Sequence, residues 1–507
     1  MGKTWKTSSG LLCGLALVLA VDATPAAAQQ AAGGQNASAA QVTFHRDVEP
    51  ILQRSCQRCH NPNSVAPMSL LTYDQVRPFA RAMKQRTALA RAPWSRGAMP
   101  PWFLEKSIGI QQIKDDVSLS DDEIALIGQW ADAGAPRGNP SDAPPALKLA
   151  GVGEWTLGKP DLIVSSPTIF VDALQSDWGG NFPKTPLGLT EDRHASSAEF
   201  MEVREVVGQA KNVAATIGGR FVFHHANVGV AGPETLDTDG QAADVVGENS
   251  IGPSRLPIHE VGRNGDVFPA DAGKMLPAFG SVTWDSMHVH ASGAPGSESF
   301  ARMDIGFKLH PVGYKPTHDI RSYGFGRTEL QVDPLGSNNR ADSYFVVPQA
   351  MKLVNYEPHM HANGVRMCLQ AVYGRAVETL NCSGYDHNWV RNYYYKENYE
   401  PLLPKGTVLH AIAWFDNSAK NNNVIDPRNL ATFGNSSVNN MFIVFNLAEF
   451  LTDEQYLAEV RKRKEYIKLN QEDMIGCPAC YLPEPRTPNA QTGTPAPAQP
   501  NRPAGSN

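Results

Sequence analysis

The chain has 507 residues, 42% of them hydrophobic and 19% charged, with a formal net charge of -6. This is the composition of a folded globular protein, and the length suits roughly three domains. With 43 glycines and 38 prolines a coiled coil is excluded, a lone apolar run excludes a polytopic membrane protein, and no dense Lys/Arg tract marks a nucleic-acid footprint.

Residues 1–28 read as a secretory signal. Lys3 and Lys6 precede an apolar run from Leu11 to Val21, and Ala26, Ala27 and Ala28 form a small-residue cleavage site before Gln29. The run is short of the about 20 residues that span a bilayer, so no stable membrane insertion is expected. A periplasmic or secreted location places cysteines 56, 59, 368, 382, 477 and 480 in an oxidising compartment.

Residues 42–138 carry the first chemical signal. Cys56-Gln57-Arg58-Cys59-His60 is C-x-x-C-H, the attachment motif of a c-type haem: two thiols for thioether bonds and an adjacent imidazole for the iron. A short helix is expected before it. A second is expected from the capping box of Ser120 and Glu123 through Ile124, Ile127 and Trp130 to the stop at Gly134 and Pro136. Two helices with a methionine loop between them resemble a small class I cytochrome c domain. Met68, Met83, Met99 and His45 are candidates for the sixth iron ligand. Met99, in the stiff GAMPPWF stretch just before the last helix, is favoured because that family's distal methionine holds this place.

Residues 139–155 read as a Pro/Ala/Ser-rich linker. From 156 to about 450 short β-rich runs alternate with Gly, Pro and Asn clusters, as in antiparallel sandwiches or jelly rolls. The expected fold is therefore multidomain: a small all-α cytochrome c domain, then two all-β domains at 156–328 and 329–450. Residues 451–480 follow, with a helix capped by Thr452 and Gln455 and a second C-x-x-C, and then a disordered tail at 481–507. Cys368 and Cys382 flank a hairpin and suit a disulfide. Cys477 and Cys480 have no histidine after them and suit a local one.

The chain has 14 histidines, and six in the β-rich stretch fall in three tight pairs: His224-His225, His288-Val289-His290 and His359-Met360-His361. Residues two apart on a strand share a face, so His359 and His361 form half of a metal site. His224 and His225 are adjacent and can share a metal only where a bulge or a strand end turns them together. Either His288 or His290 could complete that group. His194, His259, His310, His318, His387 and His410 have no spacing that singles them out and read as structural or surface groups.

The runs FHHANV, MHVHASG, PHMHANG and GNSSVNNMFIVF, in this order and spacing, resemble the copper type II monooxygenases, the peptidylglycine α-hydroxylating and dopamine β-hydroxylating enzymes with their bacterial relatives. The resemblance covers roughly residues 155 to 450. It implies a first, electron-storing copper on His224, His225 and His288, and a second, oxygen-activating copper on His359, His361 and Met441. Asn439 and Asn440 stand before Met441, where the family usually has an acidic residue.

The resemblance implies hydroxylation of a C–H bond of a small-molecule or peptide substrate with O2, catalysed at His359, His361 and Met441. The expected cofactors are two copper ions and one covalently attached haem c, with a periplasmic electron donor feeding the haem. Thioether and imidazole ligands suit copper cycling between two oxidation states. A non-catalytic copper- and haem-binding electron-transfer protein, or a copper store, would use the same ligands without substrate-dependent O2 uptake.

Overall fold

The computed structural model describes residues 41–481 apart from 63, 65, 93–94, 151–152, 177, 209–220, 234–249, 253–255, 257–258, 261–264, 292–293, 435–438 and 468–473. The signal expected at 1–28, and the tail beyond Tyr481, lie outside the described residues.

The expectation of a separate all-α cytochrome c domain followed by two all-β domains is corrected by the structure. The described residues from Val42 to Tyr481 form one compact unit built mainly of antiparallel strands. The helices of the N-terminal stretch are short: Glu49–Ser55, Tyr73–Val76, Ala80–Ala88 and Asp121–Asp132. They bury a small cluster around Phe44, Leu52, Ile127 and Trp130. Between the last two helices the chain leaves this cluster. It runs as the strand Leu104–Gly109 along the edge of a five-stranded sheet, pairing antiparallel with Ala376–Gly384. Leu104, Ile110 and Ile113 are buried in the core of that sheet, not against the helices. Glu105 receives both arms of the Arg366 guanidinium, Nε at 2.5 Å and Nη2 at 3.0 Å. Gly109 ends the strand with φ +68°, a left-handed turn that brings its backbone against the Leu380 carbonyl, where a side chain has no room.

The local signals in this stretch act as their chemistry requires. The Glu123 amide donates to Ser120 Oγ at 3.1 Å, and the Ser120 amide donates to Glu123 Oε2 at 2.8 Å. Ile124, Ile127 and Trp130 form the buried stripe of that helix.

Four larger sheets make up the β-rich part. A six-stranded sheet centred on the pair Arg193–Val206 and Ser299–Leu309 shares a core with a four-stranded sheet of Trp178–Pro186, Ser281–Val289, Phe223–Ala231 and His259–Glu260. The five-stranded sheet shares a second core with a seven-stranded sheet that includes Asp319–Gly326, Asn355–Met360 and Phe442–Phe450. Ile320, Val354 and Leu447 of the seven-stranded sheet also reach into the first core, so the two groups are packed as one body. Aliphatic and aromatic side chains supply both interiors, and Asn355–Met360 and Phe442–Phe450 are buried along nearly their whole length.

The helix Asp453–Ile467 begins with a reciprocal cap: the Thr452 amide donates to Gln455 Oε1 at 2.8 Å and the Gln455 amide to Thr452 Oγ1 at 3.2 Å. Two disulfides are present among the described residues. Cys368 and Cys382 face each other across neighbouring antiparallel strands, and Cys477 closes on Cys480. No helix among the described residues is long and apolar enough to cross a membrane.

Candidate metal centre

The first histidine group stands where Phe223–Ala231 pairs with Ser281–Val289. His288 lies opposite His225, and the next pair is Val289 with Phe223, so His224 is the extra residue of a bulge. This bulge lets neighbouring residues on one strand contribute to one centre. The ligand atoms of His224, His225 and His288 all lie within 4.8 Å of one another. His290 is close by, with its ring 4.8 Å from those of both His224 and His288.

The second group stands where Asn355–Met360 pairs with Phe442–Phe450. His359 lies opposite Ile443 and Met360 opposite Phe442. His361 directly follows the first of these strands and Met441 directly precedes the second, at the same end of the ladder. All three side chains are buried: His359 at 7%, His361 at 3% and Met441 at 7% exposure. The His359 and His361 rings are 5.3 Å apart. Asn440 is fully buried, and neither polar atom of its side chain has a hydrogen-bond partner among the described residues.

The two groups are neighbours, and His387 joins them. Its ring is 5.6 Å from His224 of the first group and 5.6 Å from His361 of the second. No spacing marked His387, because it stands on a turn that only the folded chain carries back to the strands. Burial pushes its pKa down to about 3, and the imidazoles of His361, His359, His288 and His290 push the same way. Burial likewise holds His225 well below the usual histidine range, with His224, His288, His359 and His361 adding to the effect. The charged form of each ring is disfavoured twice, by lost solvation and by like neighbours. These imidazoles are neutral at ordinary pH, and neutral imidazole is the ligand form.

His225 Nδ1 and His387 Nδ1 are buried without a hydrogen-bond partner among the described residues. Buried polar atoms are seldom left so, and a bound cation satisfies imidazole nitrogens directly. A group of three imidazoles is a donor set that copper and zinc both accept.

The C-x-x-C-H segment fits covalent haem on its own terms. Cys56 and Cys59 are the free cysteines among the described residues, whereas the second C-x-x-C is oxidised. Burial and the charge of Cys59 push the Cys56 thiol up to about 12, and burial raises Cys59 too, so neither is the low-pKa thiol of a redox dithiol. His60 is 9% exposed, and its Nδ1 lies 3.2 Å from the Met68 carbonyl. A carbonyl only accepts, so the proton is on Nδ1 and Nε2 keeps the lone pair an iron needs. Met83 is in the helical core at 7% exposure, and Met68 packs beside it. His45 is engaged at both nitrogens, by Glu49 at 2.7 Å and by Arg137 at 3.4 Å. Met99 stands in the loop that leaves the helices, its amide donating to the Arg86 carbonyl at 3.1 Å.

A third cluster, Asp271, His318 and Glu459, is an ion-pair network instead of a metal site. Lys352 Nζ lies 2.9 Å from Glu449, 3.3 Å from Glu459 and 3.8 Å from Asp271, so a cation is already in place. His410 is spent on Asp342 and Gln370.

No family model matches the chain, and no curated protein matches it. Among solved structures, an infectious bursal disease virus structure is 8% identical over 60% of this chain and 75% of that one, with a TM-score of 0.15. A Bacillus subtilis oxalate decarboxylase variant is 10% identical over 66% of this chain and 90% of that one, with a TM-score of 0.11.

Proposed function

We propose that the chain is an exported monooxygenase that hydroxylates a C–H bond of a small-molecule or peptide substrate with O2, using two coppers and one covalent haem c. The observation that carries this reading is the convergence of two histidine groups, from different sheets, around His387. His224, His225 and His288 would hold one copper. His359, His361 and Met441 would hold the other and form the reaction site. Cys56 and Cys59 would attach the haem, with His60 and Met99 as its axial ligands, and a periplasmic donor would supply electrons.

Bound copper would supply one-electron chemistry and O2 activation at this place. The rest of the work falls to the chain. Burial keeps the His225 imidazole neutral and ready to ligate. The Met441 thioether is a soft donor that favours the reduced ion. The burial of His359 and His361 would limit water at the site. The strand pairings hold the donors in place before metal enters.

Metal analysis of protein matured in a copper-supplied periplasm tests this. About two coppers per haem are expected for this donor set. No copper, or stoichiometric zinc, overturns it. Substrate-dependent O2 uptake then separates an enzyme from an electron carrier with the same groups.

A further inference from the structure

The strand that carries His224 and His225 is anchored at its start by a side chain from another sheet. Glu202 lies in Arg193–Val206 of the six-stranded sheet, opposite Met303. Its carboxylate reaches the beginning of Phe223–Ala231 in the four-stranded sheet. The Val222 amide donates to Glu202 Oε1 at 2.9 Å and to Oε2 at 3.1 Å, and the Phe223 amide donates to Oε2 at 3.0 Å. Successive amides of a regular strand point to opposite sides, so two that meet one carboxylate mark a turned backbone. The chain bends at Val222, two residues before His224.

Val222 is held from its other side as well. Its carbonyl accepts from the His290 amide at 2.8 Å. His290 ends the His288-Val289-His290 run, in which His288 pairs with His225 and Val289 with Phe223 across the bulge at His224. Val222 thus stands between Glu202 and the run that supplies His288. The Val222 and Phe223 side chains are fully buried, so packing fixes where this segment lies, and the hydrogen bonds of Val222 and Phe223 fix how its backbone is turned. Burial pushes the Glu202 pKa up to about 7, and the Phe223 and Val222 amides, with Arg204, act against it. The amides therefore stand in for the water this carboxylate has lost.

Resting on the reading that His224, His225 and His288 hold a copper, we propose that Glu202 is a positioning residue of that site. It acts through the backbone. By holding the Val222 and Phe223 amides it fixes the turn that leads into the bulge, and so the directions in which His224 and His225 present their rings. Adjacent residues on a regular strand face apart, so this site depends on the bulge more than a pair spaced two apart would. Groups that orient ligands from behind are typically worth about 10- to 100-fold in metal affinity.

The test uses the full chain with haem attached and copper as the probe. Copper is titrated against a competing chelator, and the cupric electron paramagnetic resonance spectrum is recorded. The first site's signal is the one that His225→Ala removes. Glu202→Leu keeps bulk at the position and accepts no hydrogen bond. It is expected to weaken copper at the first site by about 10- to 100-fold and to change the hyperfine splitting there. Copper at the second site and the near-ultraviolet circular dichroism spectrum are expected to stay as in the wild type. Glu202→Gln keeps a carbonyl oxygen, and Oε2 by itself already accepts from both amides, so this variant is expected to restore most of the affinity and the wild-type spectrum. Glu202→Asp, one methylene shorter, is expected to fall between the two and keeps the test sharp if Glu202→Leu does not fold. Wild-type affinity and spectrum in Glu202→Leu overturn the role, and so does an unchanged Glu202→Asp. Equal weakening of both sites would make Glu202 a general tie between sheets and overturns it too, as does a Glu202→Gln as weak as Glu202→Leu. A wild type without copper, or one from which His225→Ala removes none, overturns the reading of the site itself, whatever the Glu202 variants do.

Discussion

A histidine's role here is decided by what surrounds its ring. His410 and His318 are hydrogen-bonded to carboxylates and play a structural part. His225 and His387 are held by burial and by other imidazoles, which strip them of charge and leave lone pairs for a metal. Removing one ring from the first group should therefore cost a metal and spare the fold. His225→Ala is expected to lower copper content by about one per haem, since a site that loses one of three ligands binds far more weakly. Metal analysis beside an unchanged far-ultraviolet circular dichroism spectrum is the check, and full copper retention would assign the site elsewhere. His387 was not legible as a neighbour of both groups. The spacing that exposes a pair on one strand is blind to a ring delivered from another turn.

Secondary elements are tied to one another by a buried ionic cluster. His318 at the start of Asp319–Gly326 meets Glu449 of Phe442–Phe450 at 2.5 Å, and Lys352 links the same carboxylate to Glu459 of the C-terminal helix. The hydrogen bond to Glu449 is the main reason the His318 pKa is raised above 6.5, and burial opposes it. A raised pKa in the fold means that the folded state holds the proton more tightly than the unfolded chain. The resulting stabilisation is complete below pH 6.5 and is lost as pH climbs through the raised value. Thermal unfolding followed from roughly pH 6 to pH 9 should show a decline in the wild type across the histidine range. His318→Gln should be less stable at the acid end and flatter across the window. Equal slopes would mean that the network titrates elsewhere. The capping boxes at Ser120 and Thr452 were legible because a cap is a local bond between residues three apart. The ionic cluster was not, because its members come from five places in the chain.

Taken as one molecule, the chain departs most from the tidy string of domains its composition suggests. The helical stretch and the β-rich part are joined by Leu104–Gly109, by the Arg366–Glu105 ion pair and by Arg96, which donates to the Ala362 carbonyl. Leu104, Ile110 and Ile113 belong to the β core. Deleting residues 42–138 should therefore uncover the edge of the five-stranded sheet and open that core, instead of releasing an independent unit. Sedimentation and near-ultraviolet circular dichroism are expected to show aggregation or lost tertiary packing. A monodisperse product with native packing would restore the separable-domain view.

What the residue order could settle was chemistry written over short spans. It includes the hairpin cysteines, the caps and the strand-rich character of residues 156 to 450. These depend on neighbours a few residues apart, where backbone geometry is set by the element itself. The tertiary structure decided where the spans meet. It turned the stretch after the third helix into an edge strand because buried Leu104 and Ile113 gain more from the β core than a short helical cluster can offer. It made His224 a bulge, brought His387 between two sheets, and seated Arg96 beside His361. Each of these is a contact between residues far apart in sequence, fixed only when both partners lose water together.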